Sequence, residues 1–436
     1  MSEIPSPGPI RRVALLTLGC KLNQAESETI ARDLAAAGCE VIDTPAPADA
    51  FVINTCAVTH IAGRKSRHLV RLARRLSPDA RIAVTGCYAE SDAALLRGLG
   101  ADLVLGNDDK AVLAARLLSN GVGHTDSLDA VPSSAAPSRL RTRSFVKIQE
   151  GCNDVCAFCI VPQTRGRERS VARADVLSAV QEREAEGYQE VVLTGTQLGV
   201  YGHDIEGEVG LVGLVDCLLE KTSLPRLRLS SLQPADVTPN LLRLWQDPRL
   251  CRHFHIALQS GSDDVLARMR RRYTTDQFRR AVAAIRAALP DAAITTDVLV
   301  GFPGETDAQF QETYGFCREM EFAALHVFPY SRRPATLAAR MPDQVLEAIK
   351  RARVQRMLEL AQRLNDRFLQ RLEGSVMPVL WERSRQAKNG TAPVWEGLTD
   401  NYVRVFAASI EPLDNLLLPA RLIERRDGGL WGEIVS

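Results

Sequence analysis

The sequence predicts an α/β protein in three parts: an N-terminal doubly wound α/β domain, a central partial (βα)6 barrel and a small C-terminal β-barrel. Three observations carry this expectation. Short β-rich runs alternate with helical stretches from Val13 to Ser119 and again from Phe145 to Leu372. The two stretches are separated by residues rich in glycine, serine, proline and alanine (VPSSAAPSR) with no apolar period, as in a connecting segment. Past Gly374 the helical period stops. The resulting division is 11–120, a linker at 121–143, 144–372 and 373–436, in keeping with a 436-residue chain too long for one ordinary core.

In the first part the expected strands are Val13 to Leu18, Phe51 to Asn54, Arg81 to Thr85 and Asp102 to Leu105. Helices are expected from Ala25 to Ala37, closed by Gly38 at the C′ position, in a basic stretch ending near Leu76, and from Lys110 to Leu118. Parallel strands with right-handed crossovers follow from this alternation. The middle part offers six strands, at Phe145 to Ile148, Val191 to Thr194, Leu227 to Ser230, His255 to Leu258, Ile294 to Val300 and Leu325 to Phe328. Helices fill the gaps, so the active site belongs at the C-terminal strand ends. An arginine-rich helix from about Val345 to Leu372 closes this part. The runs Val376 to Trp381, Tyr402 to Phe406 and Ala420 to Glu424, separated by glycine, proline and aspartate turns, read as a small β-barrel.

Composition narrows the function. Lysine plus arginine (54) nearly balances aspartate plus glutamate (53), so no global field draws the chain to nucleic acid and an RNA partner would need local patches. Met1 to Pro9 lacks the apolar region of a secretion signal, and charges and glycines interrupt every candidate membrane span. A cytoplasmic protein is expected. Ten cysteines in such a chain argue for metal binding over disulfides.

Cys152, Cys156 and Cys159 form a CxxxCxxC spacing in EGCNDVCAFCIVP, just after the first strand of the middle part. Three thiolates on one loop can hold three irons of a cubane, where four thiolates are usual, and so leave the fourth iron for another ligand. In radical S-adenosylmethionine (SAM) enzymes that ligand is the amino and carboxylate group of SAM. A structural zinc site would need a fourth ligand near this loop, and the sequence offers none. Thr194, Gly195 and Gln197 follow the second strand, where backbone amides and a polar side chain suit the methionine end of SAM. Asp297 and Gly301, in DVLVGFPGE, end a later strand and suit close approach to the adenine, and Phe158 would shield its face. Ordinary turns and packing would explain each of these residues equally well.

Cys20, Cys56 and Cys87 lie far apart, yet each follows a predicted strand: LLTLGC, FVINTC and IAVTGC. In an open parallel sheet the C-terminal strand ends share one edge, so the three sulfurs can converge there. Asn23, Asn54, Gly19 and Gly86 fit tight turns around them. The alternative is three buried free thiols, the role expected of Cys39, Cys217, Cys251 and Cys317.

The assembled motifs resemble the methylthiotransferase family of radical-SAM enzymes over nearly the whole chain. They are TLGCKLNQAESE, INTCAVTHIAGRKSR, VTGCYA, KIQEGCNDVCAFCIVPQTRGRERS, SSLQP, HIALQSGSDDVLARMRRRYT, DVLVGFPGET and EGLTDNYVRV. The resemblance implies two [4Fe-4S] clusters, an auxiliary one on Cys20, Cys56 and Cys87 and a SAM-cleaving one on Cys152, Cys156 and Cys159. It also implies an RNA-binding TRAM domain at the C-terminus and two SAM molecules per turnover. One SAM methylates a sulfur of the auxiliary site; the other gives the 5′-deoxyadenosyl radical that activates an unreactive C–H bond. Radical chemistry suits an aromatic C2–H, which offers general acid–base catalysis neither an acidic proton nor a leaving group. An electron donor such as flavodoxin or ferredoxin is implied.

Lys21, the CAVT run after Thr55 and Lys65 to Arg67 resemble the MtaB-type branch, whose substrate is N6-threonylcarbamoyladenosine at position 37 of tRNA. The sister branches act on N6-isopentenyladenosine-37 or on an aspartate of a ribosomal protein. Rival readings are a radical-SAM enzyme whose N-terminal cluster only relays electrons, and a non-catalytic RNA-binding or cluster-carrier protein. Arg165, Arg167 and Arg169, with Arg268, Arg270, Arg271 and Arg272, are candidates for neutralising phosphates. From Glu373 onward seven basic residues face nine acidic ones, so the last part carries no strong phosphate attraction of its own.

Overall fold

The computed structural model describes residues 9–119, 141–385 and 392–435, so the expected linker lies largely outside the described residues. The chain forms two compact units: 1–140 with 160–167, and 141–159 with 168–436.

The first unit is a parallel five-stranded sheet in the order β2-β1-β3-β4-β5, formed by β1 (Arg12–Thr17), β2 (Glu40–Ile42), β3 (Ala50–Thr55), β4 (Arg81–Gly86) and β5 (Leu103–Val104). Its central strand β3 is buried at every residue, as a continuous Ala-Phe-Val-Ile run requires when both faces are covered. Around the sheet lie α1 (Lys21–Ala36), α2 (His60–Leu76), α3 (Cys87–Ser91), α4 (Ala93–Gly98), α5 (Leu113–Leu118) and the short α6 (Val161–Thr164). Two apolar clusters result, one around Phe51, Ile53 and Val84 and the other around Val13, Leu15 and Val52. Helix α1 begins directly after Cys20, four residues earlier than the expected Ala25, because Lys21 to Gln24 already make the first turn. Edge strand β2 brings Cys39 to the unit's core, not to the strand ends.

The second unit opens with β6 (Arg143–Lys147) and the small pair β7 (Gln149–Glu150) and β8 (Arg169–Ser170). Then follow α7 (Arg173–Ala185), β9 (Glu190–Thr194), α8 (Gly210–Lys221), β10 (Arg226–Leu229), β11 (Ser231–Leu232), α9 (Pro239–Arg243) and β12 (His253–Ile256). The barrel continues through α10 (Asp263–Arg268), α11 (Thr275–Ala288), β13 (Ala293–Val300), α12 (Asp307–Glu319), β14 (Ala324–Pro329) and α13 (Glu347–Gln370). Strands β6, β9 and β10 pair in parallel, as do β11 to β14, and a bridge between Leu227 and Leu250 links the two sets. This is the expected partial (βα)6 barrel. Its outward residues, among them Val191, Leu229, Phe254, Ile256 and Val298, pack against the helices in the molecule's largest apolar cluster.

Strands β15 (Val376–Arg385), β16 (Val394–Thr399), β17 (Arg404–Ala408), β18 (Leu417–Arg426) and β19 (Gly429–Ile434) close a C-terminal barrel in the order β15-β16-β17-β19-β18. Trp381 and Val405 fill its centre. Among the described residues no helix is long and apolar enough to cross a membrane.

Candidate metal centres and active site

Strand polarity builds the first site. In the first unit Cys20, Cys56 and Cys87 each sit one to three residues beyond the C-terminal end of β1, β3 or β4, three neighbouring parallel strands. Two glycines allow the turns. Gly19 has φ +114°, and Gly86 has φ +95° with its Cα so close to β3 that a Cβ would lie 2.3 Å from the Thr55 carbonyl oxygen. Asn23 locks the edge by donating to the Leu18 and Thr55 carbonyls at 2.7 and 2.9 Å. Burial pushes the Cys56 thiol up to about 11; the Val58 amide opposes this shift, while Cys87 and Cys20 reinforce it.

Beneath the trio lies a buried ionic group. Arg165 donates to Glu26 at 2.6 and 3.2 Å and to Asn23 Oδ1 at 2.7 Å, and Lys110 pairs with the other side of Glu26. Burial works to raise the Glu26 carboxyl, yet Lys110 and Arg165 override it and hold the group at about 2. The guanidinium also interacts with Cys87 and Cys20. Three thiolates converging on one edge create negative charge that a low-dielectric site must compensate, and a guanidinium is always charged. Burial pulls the Lys110 amine down, with Glu26 opposing the shift, so Arg165 is the lasting positive charge at this place. The donor set therefore fits an iron–sulfur cubane held by three cysteines.

Arg165 is not the phosphate contact that its arginine-rich run predicts. Its side chain is 3% exposed and committed to Glu26, whereas Arg167 and Arg169 stay at the surface.

The second site lies in the second unit on the loop after β7. The Cys152 thiol donates to Gln197 Oε1 at 3.4 Å and its sulfur accepts from the Asp154 amide at 3.3 Å. Arg271 donates to Cys156 Sγ at 3.3 Å and also bonds Gln233 and the Tyr273 hydroxyl. With its guanidinium committed to a sulfur, Arg271 too is a sulfur partner here and not a phosphate contact. Of the other arginines in that run, Arg268 bonds the Gly304 carbonyl and Gln309, and Arg272 pairs with Asp154.

The remaining predicted residues divide. Thr194 ends β9 and is buried, while Gly195 is pressed against Gln149, whose carbonyl oxygen would lie 2.8 Å from a Cβ. The amides of Thr196 and Gln197 donate to Gln149 Oε1 at 3.0 and 2.9 Å, so the side chain of Gln197, not its amide, faces the cluster loop. Gly301 has φ +73°, donates to Glu305 Oε2 at 2.5 Å and leaves the place of a Cβ to the Lys350 alkyl chain. Phe158 packs beside Met269, Phe302 and Tyr330. Asp297 lies on the barrel's inner face between two histidines absent from the sequence reading, His255 and His326. One signal for them was available: both fall on strands at positions whose neighbours are apolar and outward, which turns them inward with Asp297.

The family model described as "Radical SAM superfamily" matches residues 146–317, and that described as "Uncharacterized protein family UPF0004" matches 12–106. Threonylcarbamoyladenosine tRNA methylthiotransferase MtaB of Bacillus subtilis is 38% identical over 94% of this chain and 94% of its own, and its Thermotoga maritima counterpart is 36% identical over 86% and 87%. The tRNA-2-methylthio-N(6)-dimethylallyladenosine synthase of Bacillus licheniformis is 36% identical over 86% of this chain and 77% of its own. Among solved structures, the radical SAM methyltransferase TsrM of Kitasatospora setae shares the fold with a TM-score of 0.57 at 15% identity, over 76% of this chain and 75% of its own.

Proposed function

Because the chain belongs to the methylthiotransferase family of radical-SAM enzymes, we propose that it inserts a methylthio group at C2 of N6-threonylcarbamoyladenosine at position 37 of tRNA. It is a radical-SAM methylthiotransferase that works with two [4Fe-4S] clusters and SAM. The observation that carries the substrate is the 38% identity, over 94% of both chains, to a relative named for threonylcarbamoyladenosine, against 32 to 36% identity to relatives named for dimethylallyladenosine.

Cys152, Cys156 and Cys159 would hold the SAM-binding cluster, and Cys20, Cys56 and Cys87 the auxiliary one. When bound, the first cluster together with SAM would supply the radical, and the second would hold the sulfur that is methylated and transferred. The chain's own residues do the rest. Arg271 holds Cys156, Gln197 orients Cys152, and Arg165 offsets charge at the auxiliary trio. In the barrel, the inward polar residues position the base, and the outward apolar layer keeps the strands rigid around it. Thr194, Gly195, Gln197, Gly301 and Phe158 would line the place of SAM, and Asp297 would stand where SAM gives way to the base. A small flavoprotein or ferredoxin would donate the electron.

Two measurements test this. Nucleosides from a deletion strain and its complemented partner, compared by mass spectrometry, should differ in 2-methylthio-threonylcarbamoyladenosine. If only the isopentenyladenosine product changes, the substrate belongs to the sister branch. Anaerobically reconstituted protein should hold about eight irons per chain, falling to about four when Cys20, Cys56 and Cys87 all become alanine.

A further inference from the structure

Within the barrel of the second unit, three consecutive parallel strands turn a polar group inward. His255 on β12, Asp297 on β13 and His326 on β14 have ligand atoms all within 4.8 Å of one another, the only such group of histidine, cysteine or acidic residues among the described residues. Asp297 and His326 are register partners. Their orientation is fixed by the strand period, since Phe254, Ile256, Val298 and Leu325 on the same strands all pack outward against helices. His255 lies 3.4 Å from one Asp297 oxygen through Nε2, and His326 lies 3.1 Å from the other through Nδ1. Thr295 Oγ1 contacts His255 Nδ1 at 3.0 Å, holding the ring, and the two imidazoles stack at 5.4 Å.

Such a group asks for a ligand. Burial alone would push the Asp297 carboxyl up, but the hydrogen bonds of His255 and His326 outweigh it and hold the group well below the usual range. The lumen therefore carries a permanent carboxylate flanked by imidazoles. His326 keeps 53% of its side-chain surface open, and Phe328, two residues on along the same face, is also exposed. The layer below is closed by His253, Tyr402 and the Arg228–Glu190 pair, so whatever reaches Asp297 enters from the strand C-terminal side.

We propose that His255, Asp297 and His326 form the subsite for the N6 substituent of the target adenosine and select a ureido-linked amino acid over an alkenyl group. This rests on the substrate reading above. A ureido-amino acid brings N–H and O–H donors for Asp297, and carbonyl and carboxylate oxygens for the imidazoles. An alkenyl chain brings none, so seating it would strip water from an ionised carboxylate without replacement. A site built to hydrogen-bond its substrate discriminates strongly against an analogue lacking those groups, whereas an apolar pocket discriminates weakly.

The test uses the full reconstituted chain and two anticodon stem-loops that differ only in the N6 group of A37, threonylcarbamoyl or isopentenyl. Wild type should modify the first. His326→Leu and Asp297→Asn should raise KM for that loop by about tenfold or more and narrow the ratio between the loops. The dissociation constant for SAM should stay within about twofold in His326→Leu, with His326→Gln as a milder variant should leucine disturb the strand. Unchanged discrimination by the variants, with wild type still acting on the threonylcarbamoyl loop, overturns the subsite and leaves the function standing. A wild type that modifies only the isopentenyl loop overturns both. A non-cluster metal retained by wild type and lost in Asp297→Asn would assign the three residues to an ion and overturn the subsite.

Discussion

Arg165 shows how far a single residue can depart from its sequence context. It stands in an arginine-rich run that reads as a phosphate-binding face, yet its guanidinium is buried against a glutamate 139 positions away. Nothing local distinguishes it from Arg167; the partner decides, and the partner is brought by the fold. Replacing Arg165 with methionine leaves Lys110 to face Glu26 alone and removes a guanidinium that interacts with the auxiliary thiols. Loss of one member of a buried ionic group costs about 3 to 5 kcal/mol. The variant should unfold at lower denaturant and retain iron at the second site but little at the first, whereas Arg167→Met should match wild type in both. Equal iron content in all three proteins would remove Arg165 from the cluster's support. Gly86 makes the complementary case, since the sequence already marked it as a turn before Cys87. With φ at +95° and the Thr55 carbonyl in the way, Gly86→Ala must shift β4 against β3. A loss of several kcal/mol in urea unfolding, with disordered loading of the first cluster, is the expected outcome.

Among elements, the strands were legible because a parallel sheet covered on both faces needs unbroken apolar runs, and FVIN, IAVT and VVLT are such runs. The six barrel strands fall within a residue or two of their expected places for the same reason. The inward side chains were legible only as types, not as partners. Glu190 opens β9 and Arg228 lies on β10, and neither announces that they meet at 2.7 Å with no exposure to solvent. Burial works to raise the Glu190 carboxyl, but Arg228, with Arg143 and Arg226, holds it at about 2, below the ordinary 4.5. A depressed carboxyl contributes stability that is complete above the unfolded value and is lost as pH falls through the folded one, here between about 4.5 and 2. The difference corresponds to roughly 3 kcal/mol. Glu190→Gln, which strands buried guanidinium groups, should be far less stable than wild type at pH 7. The gap should narrow steadily in urea melts taken from pH 4.5 to pH 2.5; a gap independent of pH would show that the carboxylate charge contributes nothing.

On the scale of the whole chain, the end of the helical period at Gly374 signals a change of architecture but says nothing about independence. The C-terminal barrel is joined to the (βα)6 barrel by a shared core in which Phe368, Leu369 and Leu372 of the α13 end pack with Met377, Val379 and Trp381. Arginines at the barrel floor add polar links. Arg226 donates to the Pro378 and Leu398 carbonyls, Arg228 to that of Asp400, and Arg252 to the Asp400 carboxylate at 2.6 and 3.1 Å. Tyr402, held at φ +67°, stacks on His253 at 4.6 Å and accepts the Arg228 guanidinium over its ring. These contacts connect residues about 150 to 170 apart, a coupling that no sequence period encodes. They make the C-terminal barrel the plug of the lumen whose upper layer holds Asp297. Calorimetry should therefore show the second unit melting in one transition, since neither barrel keeps a closed core without the other. Asp400→Ala with Tyr402→Ala should lower that transition and weaken the selectivity for the threonylcarbamoyl loop, through loosening of His253 and Thr295 under His255. Two separate transitions in the wild-type second unit would show instead that the floor contacts carry no cooperative energy.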